Sequence, residues 1–341
     1  MGSIDHEFGF ELRVCAWAER AWPPDREDRT PAIVARQLGT ASRRWDTLVV
    51  EVDPDGLATR REFGEQRLDS DLLHVVRNAP AEWRYYRDSL PHPGYPWRYV
   101  RESIHRASAR GILEERKRDN RIEIRRVAPY PDWVDRVVAI ENKPDLDASA
   151  ARALRDQMER DVALAIADEV WVATRRTGDR VEPALLEDLP VEVGILAVGS
   201  DGAEVLWYPH SLGVDAPGVD ILERGEVTEF SATAARFEYV APETKREKRL
   251  AIAERAYERG WRSYADTMRP DCRHFDLRRE ATAYLPHCRS KAREPTAAEC
   301  SGACGAFEPE PPAWRTRNWP IAGGPGKTVK RVLAERRARR R

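Results

Sequence analysis

The chain has 341 residues, with 57 Lys and Arg against 58 Asp and Glu. Two or three domains are expected at that length, and 41% hydrophobic content excludes wholesale disorder. A net charge of −1 excludes a uniformly basic nucleic-acid coat but leaves local basic patches open.

No stretch is apolar for long enough to make a transmembrane helix. The opening residues are charged throughout and lack the apolar core of a secretory signal, so a cytoplasmic protein is expected. Residues 7–21 space Phe10, Val14, Trp17 and Ala21 as an amphipathic helix, which Pro23 and Pro24 stop. Residues 31–39, between Pro31 and Gly39, read as a second short helix. The apolar run after Trp45 reads as a strand closed by a tight Asp-Pro-Asp-Gly turn, with residues 57–63 as its return strand.

From 68 to 128 the pattern changes to three short helical segments followed by a hairpin turning at Asp119-Asn120. Three helices and a hairpin match a winged-helix pattern. Its last helix and hairpin, 98–126, carry ten Arg or Lys against five acids. Arg98, Arg101, Arg106, Arg116, Lys117, Arg118 and Arg121, interleaved with Trp97 and Tyr99, suit phosphate and sugar contacts, so DNA is the expected partner. A solvated insertion, its arginines serving only solubility, is the alternative. Beyond it come a buried strand at 136–143, a long helix, a strand at 169–176, a strand pair turning at Ser200-Asp201-Gly202, and a charged helix over 242–268. The last 13 residues hold seven basic side chains and one acid.

Only seven of the 57 basic residues are lysine, so a lysine deserves notice where the chain otherwise writes Arg. Lys143 is one of them, in Glu141-Asn142-Lys143 at the end of an apolar strand. Positions i and i+2 of a strand share a face, which sets the carboxylate beside the ammonium. A structural ion pair accounts for that arrangement. So does a hard divalent cation on the carboxylate, with the lysine aimed at a metal-bound water.

Helix with Glu7 and Glu11, strand opening with Asp46, strand with Glu-x-Lys, helix with Gln157, then a further strand: this order resembles the core of the PD-(D/E)xK nuclease superfamily, which includes restriction-endonuclease-like and RecB-like enzymes. The phrase IENKPDL also resembles that of an uncharacterised archaeal family. The resemblance covers about 7–53 and 131–210. It implies an α/β fold, a restriction-endonuclease-like mixed sheet flanked by helices. It further implies that Asp46 and Glu141 hold Mg²⁺, that Lys143 orients or activates the attacking water, and that Glu11 and Gln157 support the site. Mg²⁺ suits phosphodiester hydrolysis because it neutralises developing charge on oxygen. Residues 54–130 separate the Asp strand from the Glu-x-Lys strand, a departure from the family spacing that leaves Asp132 or Asp135 as alternatives to Asp46.

Cys272, Cys288, Cys300 and Cys304 fall within 33 residues rich in Pro, Gly and Arg. In a reducing compartment they fit one Zn²⁺, or a 4Fe-4S cluster such as some RecB-like nucleases carry, better than a disulfide framework. His274 and His287 are alternative ligands, and Cys15 reads as a small apolar packing residue. AGGPGKT at 322–328 lacks the first glycine and the preceding strand of a P-loop.

The expected organisation is a first part of the core at 1–53, an inserted winged-helix-like module at 54–130 and a second part of the core at 131–240. A helix with a Cys-rich metal module follows at 241–312, then a basic tail at 313–341. Two functions compete: a Mg²⁺-dependent deoxyribonuclease of repair, recombination or defence, and a non-catalytic DNA-binding protein on a degenerate nuclease-like core.

Overall fold

The computed structural model describes residues 7–24, 29–40, 43–176, 187–200, 202–224, 235–266, 268–280, 283–301 and 303–309. The basic tail and the 322–328 glycine run lie outside them. In chain order the elements are α1 (Glu7–Ala21), β1 (Ala32–Gly39), β2 (Arg44–Val52), α2 (Pro54–Arg61), α3 (Ser70–Asn78), β3 (Arg84–Tyr85), α4 (Tyr86–Ser89) and α5 (Trp97–Ala109). Next come β4 (Leu113–Arg118), β5 (Arg121–Arg126), β6 (Val134–Asn142), α6 (Ala148–Leu164), β7 (Glu169–Arg175), β8 (Gly194–Val198) and β9 (Ala203–Trp207). The last are β10 (Gly218–Arg224), β11 (Ala235–Val240), α7 (Pro242–Arg259), β12 (Phe275–Glu280) and β13 (Ala283–Cys288).

The organising feature is a six-stranded mixed sheet in the order β1-β2-β6-β7-β8-β9. Its β6-β7 and β7-β8 pairs are parallel, and the other three are antiparallel. Alternation along β6 shows how both faces are covered. Val137 and Ala139 join the cluster that includes Ala151, Leu154 and Met158 of α6 and Ile252, Ala253 and Ala256 of α7. Val138 and Ile140 join the cluster built on Phe10, Leu12, Val14 and Trp17 of α1, with Phe275 and Leu285 of the β12-β13 hairpin. Burial on both sides is why β6 reads as a continuous apolar run.

Two sequence expectations are corrected. Within 31–39, expected as a helix, Ala32–Gly39 form β1, because pairing along β2, with Ile33 opposite Val50 and Val34 opposite Val49, decides an eight-residue run that propensity leaves ambiguous. Residues 57–63 are not a return strand, and Asp-Pro-Asp-Gly is not a hairpin turn. Asp53 caps α2 by accepting the Gly56 N–H at 2.6 Å, and Pro54 sits at the first helical turn, a helix-start signal. The true neighbour of β2 on that side is β6, reached only after residues 54–133.

Those intervening residues hold a hydrophobic cluster of their own, built from Val75, Val76, Val100, Ile104, Leu113 and Ile124. Around it lie α3, α4, α5 and a three-stranded sheet in the order β3-β5-β4. Asp119 and Asn120 turn β4 into β5 with φ of 47° and 60°, as a two-residue hairpin turn requires. The charged helix α7 stops at Gly260, short of the expected 268, and a 3-10 turn follows. Among the described residues, no helix is long and apolar enough to cross a membrane.

Candidate active site

The register of the two central strands builds the site. Thr47 of β2 lies opposite Ile140 of β6, so the next pair outward is Asp46 and Glu141. Asp46 accepts the Asn142 N–H at 3.0 Å through one carboxylate oxygen and the Gln37 amide at 3.0 Å through the other. Burial first, then the charge of Glu141, pushes the Asp46 carboxyl up to about 6. Asp135 sits near the opposite end of β6, where its neighbouring charge is Asp53, and Asp132 precedes the strand. Asp46 is therefore the aspartate that meets Glu141.

The first helix supplies the next carboxylate. Glu11 is buried, with the Arg36 guanidinium donating to its two oxygens at 3.0 and 2.9 Å. Burial raises its pKa against the opposing pull of Arg36. Gln37 donates to Glu11 at 3.1 Å as well as to Asp46, from a backbone position at φ 53° that non-glycine residues seldom adopt. One amide thus bridges two carboxylates.

Lys143 lies just past β6, its Nζ 3.0 Å from Glu7. Burial works against its charge, but Glu7, then Glu141 and Asp46, outweigh it and raise its pKa, so the side chain is a firm ammonium. Arg43 reaches Glu141 at 3.0 Å and grips Asp161 of α6 with a second nitrogen, also at 3.0 Å. Gln157 lies one helical turn before Asp161 on the same helix face. Its amide nitrogen is buried without a hydrogen-bond partner, as is the Asn142 side-chain oxygen.

Asp46, Glu141, Lys143 and Glu11 are thus brought together, whereas Gln157 shares only a helix face with Asp161, the partner of Arg43. Among the described residues, no group of three or more His, Cys, Asp or Glu side chains is arranged to hold a metal ion. Asp46 and Glu141 are a two-carboxylate set. That suits Mg²⁺, which keeps several waters and takes only one or two protein carboxylates. It does not suit a closed transition-metal site.

The basic residues of the 54–130 block divide. Arg106 is paired with Asp69 at 2.7 Å, and Arg116 is paired with Glu123 at 2.6 Å and stacked over Trp83. Arg98 lies over Tyr99 and Arg121 over Tyr85. Arg101, Lys117 and Arg118 are exposed. Cys272, Cys288, Cys300 and Cys304 all line one small cavity in the β12-β13 region, remote in sequence from the carboxylates. Cys15 is fully buried on α1 and touches Thr47 at 3.3 Å, the packing role expected of it.

Sequence reasoning missed Arg36, Gln37, Arg43 and Asp161. Arg36 and Gln37 sit in the run misread as a helix, and Arg43 and Asp161 are 118 positions apart, so no local pattern could join them. No curated protein and no solved structure matches the chain. A family model does match, over residues 33–309, a span that takes in nearly all of the sheet, the 54–130 block and the four cysteines. The chain belongs to that family, described as a family of unknown function (DUF5787).

Proposed function

We propose that the chain is a Mg²⁺-dependent nuclease that hydrolyses DNA phosphodiester bonds on a PD-(D/E)xK-type, restriction-endonuclease-like core. The observation that carries this reading is the meeting of Asp46 and Glu141 at adjacent strand ends, with Lys143 and Glu11 beside them. Asp46 and Glu141 would hold the ion, which would supply charge neutralisation at the phosphate. Lys143, a firm ammonium, would position the attacking water and stabilise charge on the phosphoryl oxygens rather than act as a base. Gln37, itself anchored on Glu11, holds Asp46 in place. The helix order α3-α4-α5 and the β3-β5-β4 sheet favour a winged-helix module, whose wing at 118–121 and helix α5 would contact the duplex backbone.

One feature favours the alternative, a non-catalytic DNA-binding protein on the same core: Arg43 occupies Glu141, and Glu7 occupies Lys143. The deciding experiment is a cleavage assay on linear and branched DNAs with Mg²⁺, Mn²⁺ or chelator. Metal-dependent cleavage that Lys143→Arg lowers by about 100-fold or more, with DNA affinity kept, supports the nuclease. DNA binding without cleavage under every metal condition supports the alternative.

A further inference from the structure

We propose that Cys272, Cys288, Cys300 and Cys304 bind one structural Zn²⁺, and that this ion braces α1 from behind. The four residues come from separate places. Cys272 precedes β12, and Cys288 ends β13 opposite Phe275. Cys300 and Cys304 follow in turns closed by N–H bonds to the Thr296 and Ser301 carbonyls at 3.0 and 3.2 Å. Yet all four line a single cavity of about 20 Å³, walled also by Phe275 and Phe307.

One further detail fits a thiolate at this place: the Arg269 backbone N–H points at the Cys300 sulfur, 3.5 Å away, as a donor to a thiolate would, although burial by itself pushes that thiol up. Arg269 and Lys291 border the cavity together with Glu299, and pair with Asp271 and Glu299 respectively. The cysteines are free rather than paired as disulfides. The thiols do not stand at ligating positions, so side-chain rotation must draw them onto the ion.

The ligand set selects the metal: four thiolates around one small cavity suit a single tetrahedral Zn²⁺. Soft thiolates select zinc over hard cations. The histidines are not needed: His274 faces Glu308 at 3.3 Å, and His287 precedes Cys288 on β13, so it points to the other side of the hairpin.

The module rests on α1. Cys272, Phe275 and Leu285 pack in the same cluster as Phe8 and Leu12, and Glu294 pairs with Arg13 at 3.3 Å. Loading the site therefore fixes the helix that carries Glu7 and Glu11.

The test uses full-length protein expressed with both iron and zinc present. Expected are about one zinc per chain and no acid-labile sulfide. Cobalt in its place should give the visible bands of a tetrahedral thiolate site. Cys288→Ser and Cys304→Ser should lose the zinc, Cys15→Ser should keep it, and chelator should open residues 269–309 to trypsin while the sheet stays protected. Wild-type protein without zinc, an iron–sulfide content, or zinc retained in both serine variants would overturn the proposal. None of these readouts depends on DNA cleavage, so nuclease and zinc site stand or fall separately.

Discussion

Asp46 is a carboxyl held at about 6 by burial and by Glu141, well above its value in an unfolded chain. Between the unfolded and folded pKa values the native state binds the extra proton, so its contribution to stability falls as pH rises toward 6 and stays unfavourable above. Asp46→Asn should therefore stabilise the fold by about 1–2 kcal/mol at pH 8 and leave it unchanged near pH 4. Thermal unfolding of both proteins across that range checks this, and an equal shift at both pH values rules it out. Mg²⁺ should raise the melting temperature more at pH 8 than at pH 5, because the ion competes with the proton for Asp46. Lys143 and Lys245 show that scarce lysines here have two uses. Lys143 sits among carboxylates, whereas the buried Lys245 donates to the Gly213 and Ala216 carbonyls at 2.8 and 2.9 Å, a structural clip.

At the scale of elements, the β4-β5 hairpin and α5 carry charges of two kinds. Arg106 and Arg116 are exposed but already paired with Asp69 and Glu123, which leaves less of their charge for a phosphate. Arg101, Lys117, Arg118 and Arg121 remain exposed at the helix and the hairpin tip. Replacing these four with Gln should weaken DNA binding and reduce the slope of log affinity against log salt by about 3–4. Replacing Arg106 and Arg116 instead should lower the module's stability with a smaller change in slope. Binding titrations at several salt concentrations separate the two sets. An unchanged slope in the first variant would return the module to a solvated insertion.

Across the whole molecule, the 54–130 block and the sheet are joined by a buried ion pair. Arg60 of α2 and Glu254 of α7 meet through two hydrogen bonds of 2.6 Å, both side chains essentially out of solvent. Glu254 also accepts from Tyr130 at 2.6 Å and from the Leu68 N–H at 2.7 Å, and Arg60 stacks over Tyr257. Removing one partner leaves the other charged and buried, which costs more than the pair contributes. Glu254→Ala should lose about 3–5 kcal/mol in denaturant unfolding, whereas Arg60→Met with Glu254→Leu should lose much less. Equal losses would mean that the pair's own attraction, not the stranded charge, carries the effect.

The sequence by itself determined what short-range chemistry writes. The Asp119-Asn120 turn, the buried strand ending in Glu141 and Lys143, the helix with Glu7 and Glu11, and the clustering of four cysteines were all legible, because each rests on neighbours within a few positions. The strand identity of 31–39 was not legible, since eight residues bounded by Pro and Gly fit either state until Val49 and Val50 pair with them. Nor was the choice of Asp46 over Asp132 and Asp135, which depends on the β2–β6 register across more than 90 residues. The links from Gln37 to Glu11 and Asp46, and from Arg43 to Glu141 and Asp161, were likewise decided only by tertiary structure. A side chain's partner depends on which strands and helices lie together, and burial, not spacing, fixes whether its charge is held or released.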